Sequence, residues 1–191
     1  MTTSADQAPE VFSRRPKRVD ARRNYEKLIA AARDAFAENG TDASLEDIAR
    51  RAGVGIGTLY RHFPTRQDLF ESVYVDEVEA LCRSAEDLAE LPPWEALAGW
   101  LHRFVGYSAT KRAIYEALNR DSEMFRSCRT AMYAAGEPLL SRAQEAGAVR
   151  TDVTFDDVLR LVSGVTGTQF VEPSQRERVL GVALDGLRRH A

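Results

Sequence analysis

Apolar residues recur at helical spacing along nearly the whole chain. Leu28, Ile29, Ala32 and Phe36 mark a first helix within NYEKLIAAARDAFAENG, which Gly40 terminates. Leu45, Ile48, Ala49 and Ala52 form a second stripe on a helix that begins near Leu45. Ser44 and Asp47 make its capping pair, the short side chain accepting from orphan amides and the acid sitting on the positive helix end. Gly53 stands where a left-handed residue stops that helix. Ile56, Leu59, Tyr60 and Phe63 repeat the spacing on a third helix, leaving Gly57, Thr58, Arg61 and His62 on other faces until Pro64 cuts it off. Helices this short are poorly stable alone and must be presented by their neighbours.

The pattern stays helical beyond Arg66. Thr65 and Asp68 cap a helix carrying Leu69, Phe70, Val73, Tyr74, Val78 and Leu81, and Leu91-Pro92-Pro93 ends it. Trp94, Leu97, Ala98, Leu101, Phe104, Val105 and Ser108 predict a helix over about 94–110, with Lys111 to Arg120 as a continuation or a separate turn. The next helix starts at Asp121 or Ser122 and carries Phe125, Cys128, Met132, Leu139, Leu140 and Ala143. Pro138 is expected to bend it and Gly147 to close it. In DDVLRLVSGVTGTQFVE, Asp156 and Asp157 compensate a helix dipole, and Val158, Leu161, Val162, Val165 and Phe170 supply apolar surface. Pro173 and Ser174 then break to a terminal helix with Val179, Val182, Ala183, Leu184 and Leu187. The expected fold is all-α, and its last two helices have apolar surface enough for more than one face.

One segment carries a resemblance. AGVGIGTLYRHFPTRQDLF is similar to the DNA-binding signature of the tetracycline-repressor (TetR-like) family of bacterial transcription regulators, and the likeness extends over roughly residues 22–75. The resemblance implies an N-terminal three-helix DNA-binding domain with a helix-turn-helix, joined to a C-terminal helical domain for ligand binding and dimerisation. The domains are then a DNA-binding domain at 21–66 and a helical domain at 67–191, and the basic run before them predicts an arm at 1–20 without fixed structure. Ser44, Thr58, Tyr60, His62 and Arg66 match positions that hold DNA backbone or bases, and Gly57 permits close approach. The chain departs from the pattern at Gly55-Ile56-Gly57, which lacks polar side chains, so base readout falls on Thr58, Tyr60, Arg61 and the arm. In such families the last two helices pair with their copies. Val158, Leu161, Val165, Val179 and Val182 are then interface residues of a homodimer bound to double-stranded DNA at an inverted-repeat operator, with an intramolecular core as the competing use of the same surface.

Charge sharpens this division. The net charge of −3 is the sum of +3 over residues 1–66 and −6 over residues 67–191, so a polyanion is drawn to one end and repelled by the other. Arg14, Arg15, Lys17, Arg18, Arg22 and Arg23 cluster around Asp20. No apolar run approaches the ~18 residues that span a bilayer, and the N-terminus has no signal-like apolar segment, so a cytoplasmic protein without a membrane partner is expected. Cys82 and Cys128 read as reduced thiols, a redox-sensing pair being the lesser reading.

No catalytic or metal-binding pattern occurs. The three histidines, His62, His102 and His190, form no ligand spacing, and GVGIG follows a helix rather than the strand a nucleotide loop requires, so neither enzyme, metal nor cofactor is expected. The C-terminal part is instead rich in large, soft side chains: Trp94, Trp100, Phe104, Tyr107, Tyr115, Met124, Phe125, Met132 and Tyr133. Either these fill a core or some of them (Trp100, Phe104, Tyr107, Phe125, Met132) line a small-molecule pocket with His102, Arg103 and Arg129 as polar partners. The expectation is a repressor released from its operator by an unidentified small-molecule effector, against a ligand-independent DNA-binding regulator or DNA-associated structural protein.

Overall fold

The computed structural model describes residues 12, 15–16, 18–114, 118, 121–167 and 170–189. Among these, eight α-helices follow one another: α1 (Val19–Asn39), α2 (Leu45–Arg51), α3 (Ile56–His62), α4 (Arg66–Asp87), α5 (Pro93–Ile114), α6 (Glu123–Glu145), α7 (Phe155–Thr166) and α8 (Pro173–Asp185). The one strand-like pairing among the described residues is an isolated bridge between Val149 and Arg188. The all-α expectation holds.

The chain forms two compact units, Met1–Glu79 with Thr110–Arg129, and Ala80–Ala109 with Thr130–Ala191. The first compact unit runs past Arg66 into the middle of α4. The reason is that Leu69, Phe70, Val73 and Tyr74 of α4 are all buried, so its first half belongs to a core.

In the first unit α1 buries Tyr25, Leu28, Ile29, Ala32, Ala35 and Phe36, a 3.6-residue stripe that packs on α2. Phe36 meets Phe70 at a ring separation of 4.6 Å, Tyr25 meets Phe63 at 5.2 Å, and Tyr74 stacks on Phe125 at 5.1 Å. The helix starts at Val19, five residues before the apolar pattern announced it, so Val19 and Asp20 belong to α1 and not to the arm. The arm is also tied down where it is described: the Arg15 guanidinium sits 2.6 Å from Asp76 and 2.9 Å from Glu79. Arg33 joins the same cluster through Asp76, at 2.9 Å, and Glu77. Burial pushes the Glu77 carboxyl up, against the pull of Arg33. Residues 1–11, Arg14 and Lys17, part of the expected arm, lie outside the described residues.

The second unit is built around Trp100, which is fully buried and donates its indole N–H to the Leu81 carbonyl at 3.2 Å. Its ring lies 5.8 Å from Phe104 and 5.6 Å from Phe155. Phe155 also meets Tyr133 edge to face at 5.4 Å. Arg142 of α6 holds the carbonyls of Ala89 and Leu91, closing the turn that follows α4. That turn comes earlier than the prolines require, since α4 stops at Asp87. α5 runs on to Ile114, Tyr115 lies outside the described residues, and α6 continues through Pro138 to Glu145. α7 starts on a reciprocal cap between Thr154 and Asp157, whose carboxyl is held low by the hydroxyl and amide of Thr154. It ends at Thr166, short of Phe170. Cys82 and Cys128 form no disulfide.

Gly136 of α6 is what lets the second core close. A Cβ there would lie 2.3 Å from the Phe155 ring and 2.8 Å from Trp100. Gly136→Ala is therefore expected to cost about 1–3 kcal/mol despite the better helix propensity of alanine, measured as a lowered urea midpoint. An unchanged or raised midpoint would show that the rings move aside freely.

Candidate functional site

The second and third helices form a compact pair whose orientation is set by a few side chains. The α2 start is capped by Ser44, whose hydroxyl accepts from the Asp47 amide at 3.3 Å and donates to Glu46 at 2.9 Å. Its end is Gly53, at φ +68°, the left-handed conformation that glycine adopts without strain. The turn leads to Gly55, the extended N-cap of α3, and the first helical residue is Ile56. Thr65 and Asp68 cap α4 as expected, with the Asp68 amide 3.1 Å from the Thr65 hydroxyl and the Thr65 amide 2.9 Å from the Asp68 carboxylate.

Only Leu59 of α3, with Phe63 just beyond it, is buried. The four-residue stripe expected from spacing is thus half right: Ile56 is 37% and Tyr60 46% exposed. A helix of seven residues has less than two turns to bury, and Leu59 with Phe63 already fills the contact. The outer face consists of Ile56, Gly57, Tyr60 and Arg61, all exposed, with Thr58 at its edge. Nothing lies within 4 Å of where a Cβ would stand on Gly55 or Gly57. His62 packs edge to face on Tyr25 at 6.2 Å, and burial, then the neighbouring Arg61, pushes its pKa down from the usual imidazole range.

Cations around the pair divide into held and open ones. Arg51 is bound to Glu38 at 2.7 Å and to Asp47 at 2.6 Å; it holds the Glu38 carboxyl low, and at Asp47 burial pushes up but Arg51 with Arg50 outweighs it. Arg66 turns inward. Its Nη1 donates to the carbonyls of Thr41 and Ala43, at 3.0 and 2.6 Å, fastening the loop before α2. A side chain expected to hold DNA thus also holds its own protein. Spacing could not disclose it, because the acceptors are backbone carbonyls more than twenty residues away. Arg66→Ala is expected to lower stability by about 2 kcal/mol with an unchanged salt slope of DNA binding. Unchanged stability with a slope lower by about one would restore the phosphate role.

Comparison with known proteins matches residues 28–73 to "Bacterial regulatory proteins, tetR family" and residues 92–189 to "Transcriptional regulator SbtR-like, C-terminal domain". The chain belongs to the tetR family of bacterial regulatory proteins. It is 42% identical to the TetR transcriptional regulator SCO0520 from Streptomyces coelicolor, over 87% of this chain and 99% of that one, with a TM-score of 0.76. A TetR transcription regulatory protein from Mycobacterium vanbaalenii is 36% identical over 91% of this chain and 100% of its own, with a TM-score of 0.72. Among curated relatives, the regulator SAR0097 of Staphylococcus aureus is 37% identical over 86 residues, which span 43% of this chain and only 44% of that protein.

The second unit of this tetR-family regulator treats the remaining expected residues unevenly. Trp100, Phe104, Tyr107 and Met132 are buried. Phe125 and Arg129 fall in the first unit, where Phe125 stacks on Tyr74 and Arg129 is exposed. His102 is exposed, 3.9 Å from Glu177, and Arg103 pairs with Asp87 at 3.5 Å. On α5 His102 stands on the face opposite Trp100 and Phe104, and Arg103 stands beside that face.

The expected interface residues split in the same way. Val158 is fully buried within its own protomer and cannot meet a partner, because α7 turns it inward with Phe155, Leu159 and Val162. Leu161 is 39% and Val182 74% exposed, while Val165 and Val179 are half-buried. His190 lies outside the described residues, and no helix of the described residues is long and apolar enough to cross a membrane.

Proposed function

We propose that this regulator is a homodimeric repressor that reads an inverted-repeat operator in double-stranded DNA with α3 and releases it when a small-molecule effector binds the second unit. It acts in the cytoplasm and catalyses no reaction. The observation that carries the DNA-binding reading is the outer face of α3, where Gly57, Thr58, Tyr60 and Arg61 stand on a helix anchored by the buried Leu59. Ser44 and His62 flank it, and the open space at Gly57 leaves the backbone free to approach a duplex. Leu161, Val165, Val179 and Val182 supply apolar surface on α7 and α8 for a second copy.

Selection of duplexes from a random pool tests the reading. An inverted repeat is expected, with half-sites about one helical turn, ~34 Å, or somewhat more apart. Absence of enrichment, or an asymmetric single site, overturns it. Arg61→Ala is expected to relax base preference at one position of each half-site.

The ring-on-ring packing of Trp100, Phe104 and Phe155 favours a second reading, a regulator without effector whose aromatic cluster is simply core. A thermal-shift screen against metabolites and cationic or aromatic compounds separates the two. An effector that weakens operator binding ~100-fold must favour the DNA-incompetent state by about 2.7 kcal/mol, and the operator must weaken the effector equally.

A further inference from the structure

Ile56 opens α3 with a large aliphatic side chain 37% exposed, on the same face as Tyr60 and Arg61. Its neighbours on both sides are glycines with empty space where a Cβ would be, so the exposed part of this side chain is flanked by no side chain of residue 55 or 57. The buried Leu59 and Phe63 fix how α3 is rotated, so Ile56 is not free to fold back into the core without unseating them. Its β-branch leaves it few rotamers and little entropy to lose on contact.

We propose that Ile56 determines operator specificity by packing against the 5-methyl group of a thymine in the major groove, an inference that rests on the reading of α3 as the DNA-reading helix. Gly55, Ile56 and Gly57 offer no side-chain donor or acceptor at the front of the helix. An aliphatic group there cannot distinguish bases by hydrogen bonding. Of the features that base edges present in the major groove, the thymine methyl is the apolar one, and contact with an aliphatic side chain removes both from water. The expected signature is one thymine in each half-site whose methyl group, rather than its hydrogen-bonding edge, is required.

The test starts from duplexes that the wild-type protein selects from a random pool, and replaces each thymine in turn by deoxyuridine, which keeps the pairing and loses the methyl. At one position per half-site the affinity of the wild type is expected to fall about fourfold, and about 15-fold when both half-sites are changed, the worth of one methyl each. Cytosine at that position weakens binding, and 5-methylcytosine restores most of the loss. Ile56→Ala, checked by its thermal midpoint to be folded, is expected to bind thymine and uridine duplexes within about twofold of each other. A wild type indifferent to uridine at every position overturns the proposal, as does an Ile56→Ala protein that keeps the full uridine penalty. If the random pool yields no enriched duplex, the DNA-reading role of α3 falls and this inference with it. Enriched duplexes without a uridine effect overturn the role of Ile56 alone.

Discussion

Gly57→Leu is expected to make the free protein more stable while weakening operator binding about 100-fold. Glycine in a helix interior costs up to about 1 kcal/mol relative to good helix formers, and at position 57 the side chain of a replacement meets no protein atom within 4 Å of its Cβ. In the free protein only the propensity gain remains. Bound to DNA, the same side chain stands between the backbone of α3 and the duplex, and displacing the helix loses several contacts at once, about 2.7 kcal/mol for the stated factor. Urea unfolding and a fluorescence titration on the same preparation read the two effects. A stabilised protein with undiminished affinity would show that Gly57 faces solvent in the complex, and the outer face of α3 would lose its role.

The opposite signs matter because they separate a residue kept for folding from one kept for contact. Gly136 is the converse case: the space around it is filled by Trp100 and Phe155, so adding a methyl should harm the fold itself.

How far the sequence disclosed this arrangement follows from the range of the interactions. Local signals were legible: the caps at Ser44 and Thr65, the start of α8 at Pro173, the left-handed Gly53, and the stripe of α1 all depend on residues within one or two turns. Long-range partners were not. The inward turn of Arg66 onto Thr41 and Ala43, and the hold of Asp76 and Glu79 on Arg15, join residues 23 to 64 positions apart that no periodicity relates. Burial was over-assigned where a helix is short, as with Ile56 and Tyr60. It was under-resolved where a helix is apolar on two faces, as with Val158 and Val182. Chemistry along α5 and α6 does not disclose which side chains share a face: His102 is exposed and Trp100 buried on one helix, and Phe125 stacks on Tyr74.

The two valines provide the sharpest test of assembly, because Val158 of α7 is fully buried and Val182 of α8 is exposed. Val158→Asp places a carboxylate in a fully buried site without a partner, and should destabilise the protomer by at least about 3 kcal/mol, seen as a large drop in urea midpoint or as insoluble protein. Val182 is 74% exposed in the isolated protomer, so Val182→Asp should leave the urea behaviour of the separated chain intact. If α8 meets its copy, however, two carboxylates are brought together at an interface that excludes water, and the dimer should dissociate. Sedimentation at micromolar concentration is then expected to give a dimer for the wild type and a folded monomer for Val182→Asp. Binding to the inverted repeat should fall by a factor of about 100 or more, since each half-site is then occupied without the effective concentration that linkage supplies. A wild-type monomer would end the dimer proposal outright. A Val182→Asp protein that remains dimeric would move the interface away from the exposed end of α8 and leave Leu161 and Val165 of α7 to carry it.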